Sequence, residues 1–549
     1  MARTPLLKSL VTLAREHARA AELGLPVEAV RESGASARAR ARSDAWSRRG
    51  FLGASAAVAG GLALPRAARA QGQPRIAIVG AGIAGLSAAL KLADNGMPCT
   101  VYEASQRVGG RMYSNTGYFA QNQVFEWCGE LIDSGHTTVQ RLAQRFGLTL
   151  DNLLAAEPAG STETYYFFGQ YYSKADADRD FKGIQALLKE DLRQAGPYTT
   201  VFESTAAGRA LNRMSVYDWI ESRVPGGHRS PLGALLDTAY FIELNSDTRE
   251  QSALNLVYLL GYQPSWNELA MFGISDEKYH VRGGNQQIPA AIAAQLGSEV
   301  VRTGWRMEAI RRLSNGVVEL VFDQAGSTRI VQADLVLVTT PFAVLRGLDY
   351  AQAGFDARKD HAIQNLGAGR QSKQHLQFNR RVWNDLGAKP ARGNGSSYAD
   401  TGYQASWETS RAQPGTAGIL VGYAGGGFAD AMKSNVAFAT SSSARVRQDA
   451  LRFLGQAEPV FPGLGAAWNG LSTQGLPHLD PNMKCSYSYF KVGQYETIAG
   501  YERVRQGNVF FAGEHCSFDF QGFMEGGARE GERAAAEMLA ALGLPVVKA

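Results

Sequence analysis

The segment RIAIVGAGIAGLSAALKLADNGMPCTVYEAS, Arg75 to Ser105, constrains this chain more tightly than any other. A short β-branched run, Ile76 to Val79, predicts a strand, and the small and apolar residues from about Gly82 to Asn95 predict a helix after a turn on Gly80. A second strand is expected at Cys99 to Tyr102. The glycines have separate uses: Gly80 permits a tight turn, Gly82 lets backbone approach a pyrophosphate, and Gly85 lets helix and strand pack closely. Ile83 and Ala84 open the helix, where free N–H groups and the positive end of the dipole attract phosphate. Glu103, followed by Ala104, ends the second strand at the spacing of an acid that binds a ribose hydroxyl. A Rossmann-like α/β dinucleotide-binding unit is therefore expected.

A second motif lies at the other end of the chain. In GNVFFAGEHCSFDFQGFMEGGAREGERAAAEML, Val509 to Ala512 reads as a buried strand, Gly513 and Glu514 as a turn, and the residues from about Phe523 and Met524 as a helix rich in small side chains. The cofactor domain is thus expected to assemble from discontinuous segments, 74–135, 276–345 and 476–545, with 136–275 and 346–475 forming an α+β substrate domain. Within the latter, TYYFFGQYYS predicts a hairpin about Gly169 and Gln170, and FKGIQALLKEDLRQAG predicts a helix. LVLVTTPF reads as a buried strand ending at Pro341. The pocket is expected between the domains.

The leader has a different character. Ser47, Arg48, Arg49 and Phe51 precede an apolar run, Gly53 to Leu64, too short to span a bilayer, and small residues follow at Ala68 and Ala70. This combination predicts a twin-arginine export signal cut near Ala70, with the export machinery as a partner and a periplasmic or secreted destination. Residues 1–70 are accordingly set apart from the fold. That route carries folded proteins, so a tightly held cofactor is expected. The net charge of +5 owes much to arginines in the leader, and no nucleic-acid partner is inferred. Four dispersed cysteines form no CxxC pair, which predicts no metal site and leaves room for one disulfide. No later segment predicts membrane insertion.

Four stretches carry a family resemblance. RVGGRMYS follows Glu103 directly; CGELIDSGHTTVQRLAQRFGL starts at Cys128; YHVRGGNQQIPAAIAAQLG and VVRTGWRMEAIRRL lie mid-chain. With the two terminal motifs, these resemble the flavin-containing amine oxidase family, which groups monoamine, polyamine and L-amino-acid oxidases, here of bacterial type. The resemblance implies FAD, with Gly110, Arg111, Gly129, Glu130, Leu131, Ile132, Met307, Gly513, Glu514, Phe523 and Met524 joining the N-terminal motif around it. Glu514 is expected to meet the ribityl chain or phosphates rather than act as a base. The helix start at Phe523 and Met524 would stabilise negative charge on a reduced flavin.

The same resemblance implies a reaction. Lys373, in LGAGRQSKQHLQF, matches the family lysine that holds a water beside the flavin and is implicated in the reaction with dioxygen. Phe523, with Tyr487 and Tyr489 of KCSYSYF, is expected to wall the substrate pocket; Ser486 stands where monoamine oxidases carry a cage tyrosine. Cys485 matches the cysteine that bonds flavin covalently in those enzymes, a buried thiol being the alternative. Amino-acid oxidases carry arginine at about Ile132, whereas this chain offers Glu130 and Asp133, which suits an amine; Arg282 could still bind a carboxylate. An amine oxidase releasing hydrogen peroxide is therefore expected, with an L-amino-acid oxidase as the alternative. Carbon–carbon desaturation or a non-catalytic flavoprotein is more distant.

Overall fold

Five short strands drawn from the length of the chain form one parallel sheet in the computed structural model, which describes residues 73–545. The expected signal segment and its cleavage site lie outside the described residues. The sheet order is Val509–Phe511, Leu335–Val338, Ile76–Val79, Thr100–Glu103, Val301–Thr303. Ile76 pairs with Leu335 and Ala77 with Thr100, so the first strand is central. Every residue of Ile76–Val79 and Leu335–Val338 is buried, as parallel strands covered on both faces require. Burying each large apolar side chain contributes roughly 1.5–3 kcal/mol.

The helix Ile83–Asp94 follows the first strand, and the C-terminal helix Met524–Ala541 packs directly on it. Small residues allow this approach: a Cβ on Gly531 would stand 2.0 Å from the Ala84 carbonyl oxygen. The C-terminal helix also caps the helix Thr137–Arg145, whose own first residues supply no side-chain cap. The buried Glu525 carboxylate accepts from the Thr138 and Val139 N–H groups at 3.0 and 2.9 Å, satisfying two of the four donors that a helix start leaves free.

A second, eight-stranded sheet is mixed, with order 438–440, 468–475, 371–378, 418–425, 405–408, 392–399, 161–167, 170–172. The strand Gln371–Phe378 divides its side chains by parity. Leu376 and Phe378 pack in a cluster with Phe453 and Leu454 of the helix Ala444–Ala457, which places Lys373 on the opposite face. Registers run straight across that face, aligning Lys373 with Tyr423, Tyr423 with Ala405, Ala405 with Tyr398, and Tyr398 with Tyr165. One apolar cluster includes Val79 and Tyr102 beside the parallel sheet together with Tyr165, Tyr398 and Tyr423 of this one.

Three local expectations shift. The hairpin turns on Phe168 and Gly169, not Gly169 and Gln170: Phe167 pairs with Gln170, and both turn residues have positive φ, 55° and 76°, as a two-residue hairpin with the sheet's twist requires. The helix expected over FKGIQALLKEDLRQAG is two helices, Lys174–Lys182 and Gln185–Ala195, interrupted at Gly183 and Ile184. The strand of LVLVTTPF ends at Val338, where the Thr339 hydroxyl donates to the Val79 carbonyl at 2.8 Å. All four cysteines are unbridged. Among the described residues no helix is long and apolar enough to cross a membrane, and no group of His, Cys, Asp or Glu side chains is arranged to hold a metal.

Candidate functional site

A cavity of about 1320 Å³ runs from the carboxyl ends of the parallel strands to the face of the eight-stranded sheet that carries Lys373. Its inner end is built by the glycine turn. Gly80 has φ +106°, and a Cβ there would fall 2.4 Å from the Thr339 hydroxyl oxygen. Gly82 approaches Gly110 so closely that a Cβ on Gly110 would lie 3.3 Å from the Gly82 Cα. Gly82, Ile83 and Ala84 open onto the cavity, and no side chain caps the helix they begin. Gly85 does not line the cavity; it packs beneath the turn, where a Cβ would meet the Gly80 carbonyl at 2.0 Å.

Glu103 and Ala104 border the same space. The Glu103 carboxylate accepts from the Ala81 N–H and from the Ser105 N–H and hydroxyl, each at 2.8 Å. A carboxylate offers about four acceptor sites, so one direction is left toward the cavity. Met307 lines it from the strand Arg306–Arg312, at a bulge between Met307 and Ala309. An uncapped helix start, backbone brought close by glycines, and an acid at the strand end fit the phosphates and ribose of a dinucleotide.

Beyond the turn, Arg111 and Glu514 form a nearly buried ion pair at 3.0 Å, and the same guanidinium nitrogen donates to the Ser486 carbonyl at 2.9 Å. Glu514 also accepts from the Ser488 N–H and hydroxyl and from the Gly522 N–H, at 3.1, 2.9 and 2.9 Å. Glu514 nonetheless lines the cavity, as its expected place beside the cofactor requires. Four protein donors occupy this carboxylate, and its work is to hold Arg111 and the turn before Phe523. The Arg111 and His515 charges and the Ser488 hydrogen bond outweigh burial and hold it below the usual glutamate range. Gly513 lines the cavity at φ +141°, as do Gly110, Phe523 and Met524.

The GELI segment divides sharply. Gly129, Glu130 and Leu131 face the cavity, and a Cβ on Gly129 would lie 3.0 Å from the Met524 side chain. Ile132 does not line the cavity. It is fully buried in the apolar cluster beneath, with its N–H and carbonyl bridged to Tyr279, so its expected cofactor contact is corrected. Asp133 is buried as well, accepting from the Ser275 hydroxyl and the Glu277 N–H. Cys485 lies behind Arg111, on a separate small void rather than on the main cavity, and burial pushes its thiol up to about 11. That placement favours the plain thiol over a covalent flavin link.

Lys373 is buried and ion-paired with Glu130, and it donates to the Cys128 carbonyl at 2.9 Å. Trp407 donates from Nε1 to the other Glu130 oxygen at 3.1 Å and packs on Tyr423 with ring centroids 5.0 Å apart. Tyr487 lines the cavity, its hydroxyl donating to the Glu243 carbonyl at 2.6 Å, and Phe523 stands beside His136 at 5.2 Å. Tyr489 turns away. Its hydroxyl accepts from Ser246 at 2.7 Å and donates to Glu250 at 3.2 Å, outside the cavity, so its place in the pocket wall is corrected. Arg282 is corrected likewise: it is largely exposed, paired with Asp151, and does not line the cavity. Trp407, Tyr423 and Tyr398, absent from the sequence expectation, supply the missing aromatic wall.

The profile described as "Flavin containing amine oxidoreductase" matches residues 83–539. The chain is 25% identical over 480 residues to an L-amino-acid oxidase of Siganus canaliculatus, covering 84% of each protein. It is also 25% identical over 482 residues to probable polyamine oxidase 4 of Arabidopsis thaliana, covering 83% of this chain and 84% of that one. Cyclohexylamine oxidase from Brevibacterium oxydans IH-35A superposes with a TM-score of 0.71 at 21% identity, over 86% of this chain and 100% of that one. A putrescine oxidase solved with putrescine gives a TM-score of 0.70 at 19% identity, over 85% and 99%. Motif order, the dinucleotide cradle and the matched span agree, and the chain belongs to the flavin-containing amine oxidoreductase family.

Proposed function

We propose that this protein is an FAD-dependent oxidase that converts an amine to an imine, which hydrolyses to a carbonyl compound and ammonia while dioxygen is reduced to hydrogen peroxide. The bound flavin supplies the two-electron acceptor. The carrying observation is the state of the cations on the substrate side. Lys373 is paired with Glu130, Lys174 with Asp178 and Arg411 with Glu157, so none of the three presents an uncommitted charge to a substrate carboxylate. An amino-acid oxidase needs such a cation, ideally a bidentate arginine.

The chain's own residues orient the amine. Phe523, Tyr487, Trp407 and Tyr423 border the cavity with aromatic surface, and low polarity favours the neutral amine over its ammonium form. The uncapped helix start at Phe523 and Met524 stabilises negative charge developing at that end. The L-amino-acid oxidase relatives favour a second reading, oxidation of an amino acid to a 2-oxo acid. Aerobic turnover separates the two: primary amines should release peroxide and ammonia in equal amounts, and turnover of L-amino acids alone would replace the first reading with the second. A desaturase would release no ammonia.

We further propose export by the twin-arginine route, on the strength of Arg48, Arg49 and the apolar run after them. Replacing both arginines with lysine should leave folded flavoprotein in the cytoplasmic fraction; unchanged fractionation would refute the route.

A further inference from the structure

The registered row Lys373, Tyr423, Ala405, Tyr398, Tyr165 crosses five strands on the cavity face. Neighbouring strands lie about 4.8 Å apart, so Tyr398 stands three spacings, about 14 Å, from Lys373. Glu163 precedes Tyr165 by two residues, which puts it on the same face, and the Tyr165 hydroxyl donates to its carboxylate. Glu277 borders the same region from a separate segment. Glu163, Glu277 and Glu243 are the carboxylates whose charges act on the Tyr398 hydroxyl.

Tyr398 itself points to a ligand. It is only 6% exposed and lines the cavity, yet its hydroxyl makes no hydrogen bond to any described residue. The residue is otherwise enclosed, so its hydroxyl is left to meet whatever the cavity holds. Carboxylates from separate segments act on it. Glu277 is exposed toward the cavity, and the protein around it, with repulsion from Asp133, Glu243 and Glu163, pushes its carboxyl well up. Burial raises Glu163 too, with Lys174 and Arg411 opposing, but both of those cations are committed to other carboxylates.

We propose that this outer end of the cavity is a subsite for a second ammonium group, so that the substrate is a long diamine or polyamine. Its far cation sits among Glu163, Glu277 and the Tyr398 hydroxyl while the other amine reacts at the Lys373 end. The inference rests on the amine-oxidase reading above. Cα atoms three bonds apart are 3.80 Å apart, or about 1.25 Å per bond. Extended 1,8-diaminooctane, with nine bonds between nitrogens, then spans roughly 11 Å, and 1,4-diaminobutane roughly 6 Å. Of the two, the longer diamine comes nearer to the row's roughly 14 Å.

The test uses the holoenzyme and the concentration of amine that half-reduces the flavin under anaerobic conditions. In the wild type, 1,8-diaminooctane should act at a concentration at least about tenfold below octylamine and below 1,4-diaminobutane, a factor of ten being about 1.4 kcal/mol. Glu163→Gln and Glu277→Gln should each shrink the diaminooctane-to-octylamine ratio, read within the same FAD-loaded variant. Equal potency of diaminooctane and octylamine in the wild type overturns the subsite and leaves the amine reading standing. A ratio unchanged in both variants overturns the residue assignment. Reduction by no amine overturns both readings.

Discussion

Replacing Gly531 with alanine probes how the two ends of the chain meet. The added Cβ would stand 2.0 Å from the Ala84 carbonyl oxygen, 2.9 Å from its carbon and 3.1 Å from its Cα. All three are backbone atoms, so no side chain can swing aside. Reaching even a 3.0 Å contact requires the helices to part by at least 1.0 Å, the gap between 2.0 and 3.0 Å. Overpacking of this kind costs about 1–3 kcal/mol, and the higher helix propensity of alanine offsets about 1 kcal/mol. A net loss of up to about 2 kcal/mol is expected. The displaced segment carries the Ile83 and Ala84 N–H groups of the phosphate cradle, so FAD should also bind more weakly. Urea unfolding of apo- and holoprotein, with FAD titration, measures both effects. Gly455→Ala is the matched control: this residue lies on the exposed side of a helix with nothing within 4 Å of the new Cβ, and it should gain about 0.5–1 kcal/mol. A Gly531→Ala protein as stable as wild type with undiminished FAD affinity would refute the packing argument.

Three further predictions address individual side chains. Lys373→Met and Glu130→Gln each leave a buried partner without its counter-charge, which typically costs about 3–5 kcal/mol; the double variant should lose less than the sum, and additive losses would contradict the pairing. Tyr489→Phe should cost about 0.5–1.5 kcal/mol in urea unfolding through its lost hydrogen bonds, with the half-saturating amine concentration unchanged; a large change there would return Tyr489 to the pocket. Burial pushes the Glu502 carboxyl up from 4.5 to about 7, and its Oε2 makes no hydrogen bond. The protonated form is favoured on folding, so this stabilisation is complete below about pH 4.5 and lost as pH rises through about 7. Glu502→Gln should therefore stabilise the protein relative to wild type at about pH 8 but not near pH 4.5; the same difference at both would show that Glu502 does not titrate as assigned.

The inner half of the site is legible in the sequence because its geometry is local. Gly80, Gly82 and Gly85 act on a turn and helix within a few residues, and Glu103 lies at the end of the very next strand. Packing of the C-terminal helix is legible for a related reason, since Gly527 and Gly531 leave no side chain between two helix backbones. The outer half depends on register carried across five strands, one of which, the strand of Tyr165, comes from a distant part of the chain. That Tyr398 faces the cavity beside Glu163 follows from its parallel pairing with Tyr165, which no local pattern specifies. Ile132 and Tyr489 fail for the complementary reason: each lies next to residues that do reach the cavity, and chain direction at a bridge or short strand turns the side chain elsewhere. Glu514 is a mixed case, since it lines the cavity where its motif places it. Three of the four donors on its oxygens come from Arg111 and Ser488, in segments that the motif does not include, and only Gly522 belongs to the motif itself.

The most direct measurement of the central claim is anaerobic titration of the purified, FAD-loaded protein with primary monoamines, diamines and L-amino acids, following the flavin absorbance. The account predicts bleaching by amines at low concentration, recovery of colour with peroxide on admitting air, and little response to L-amino acids. A flavin that stays oxidised with every amine, or that only L-amino acids reduce, would contradict it.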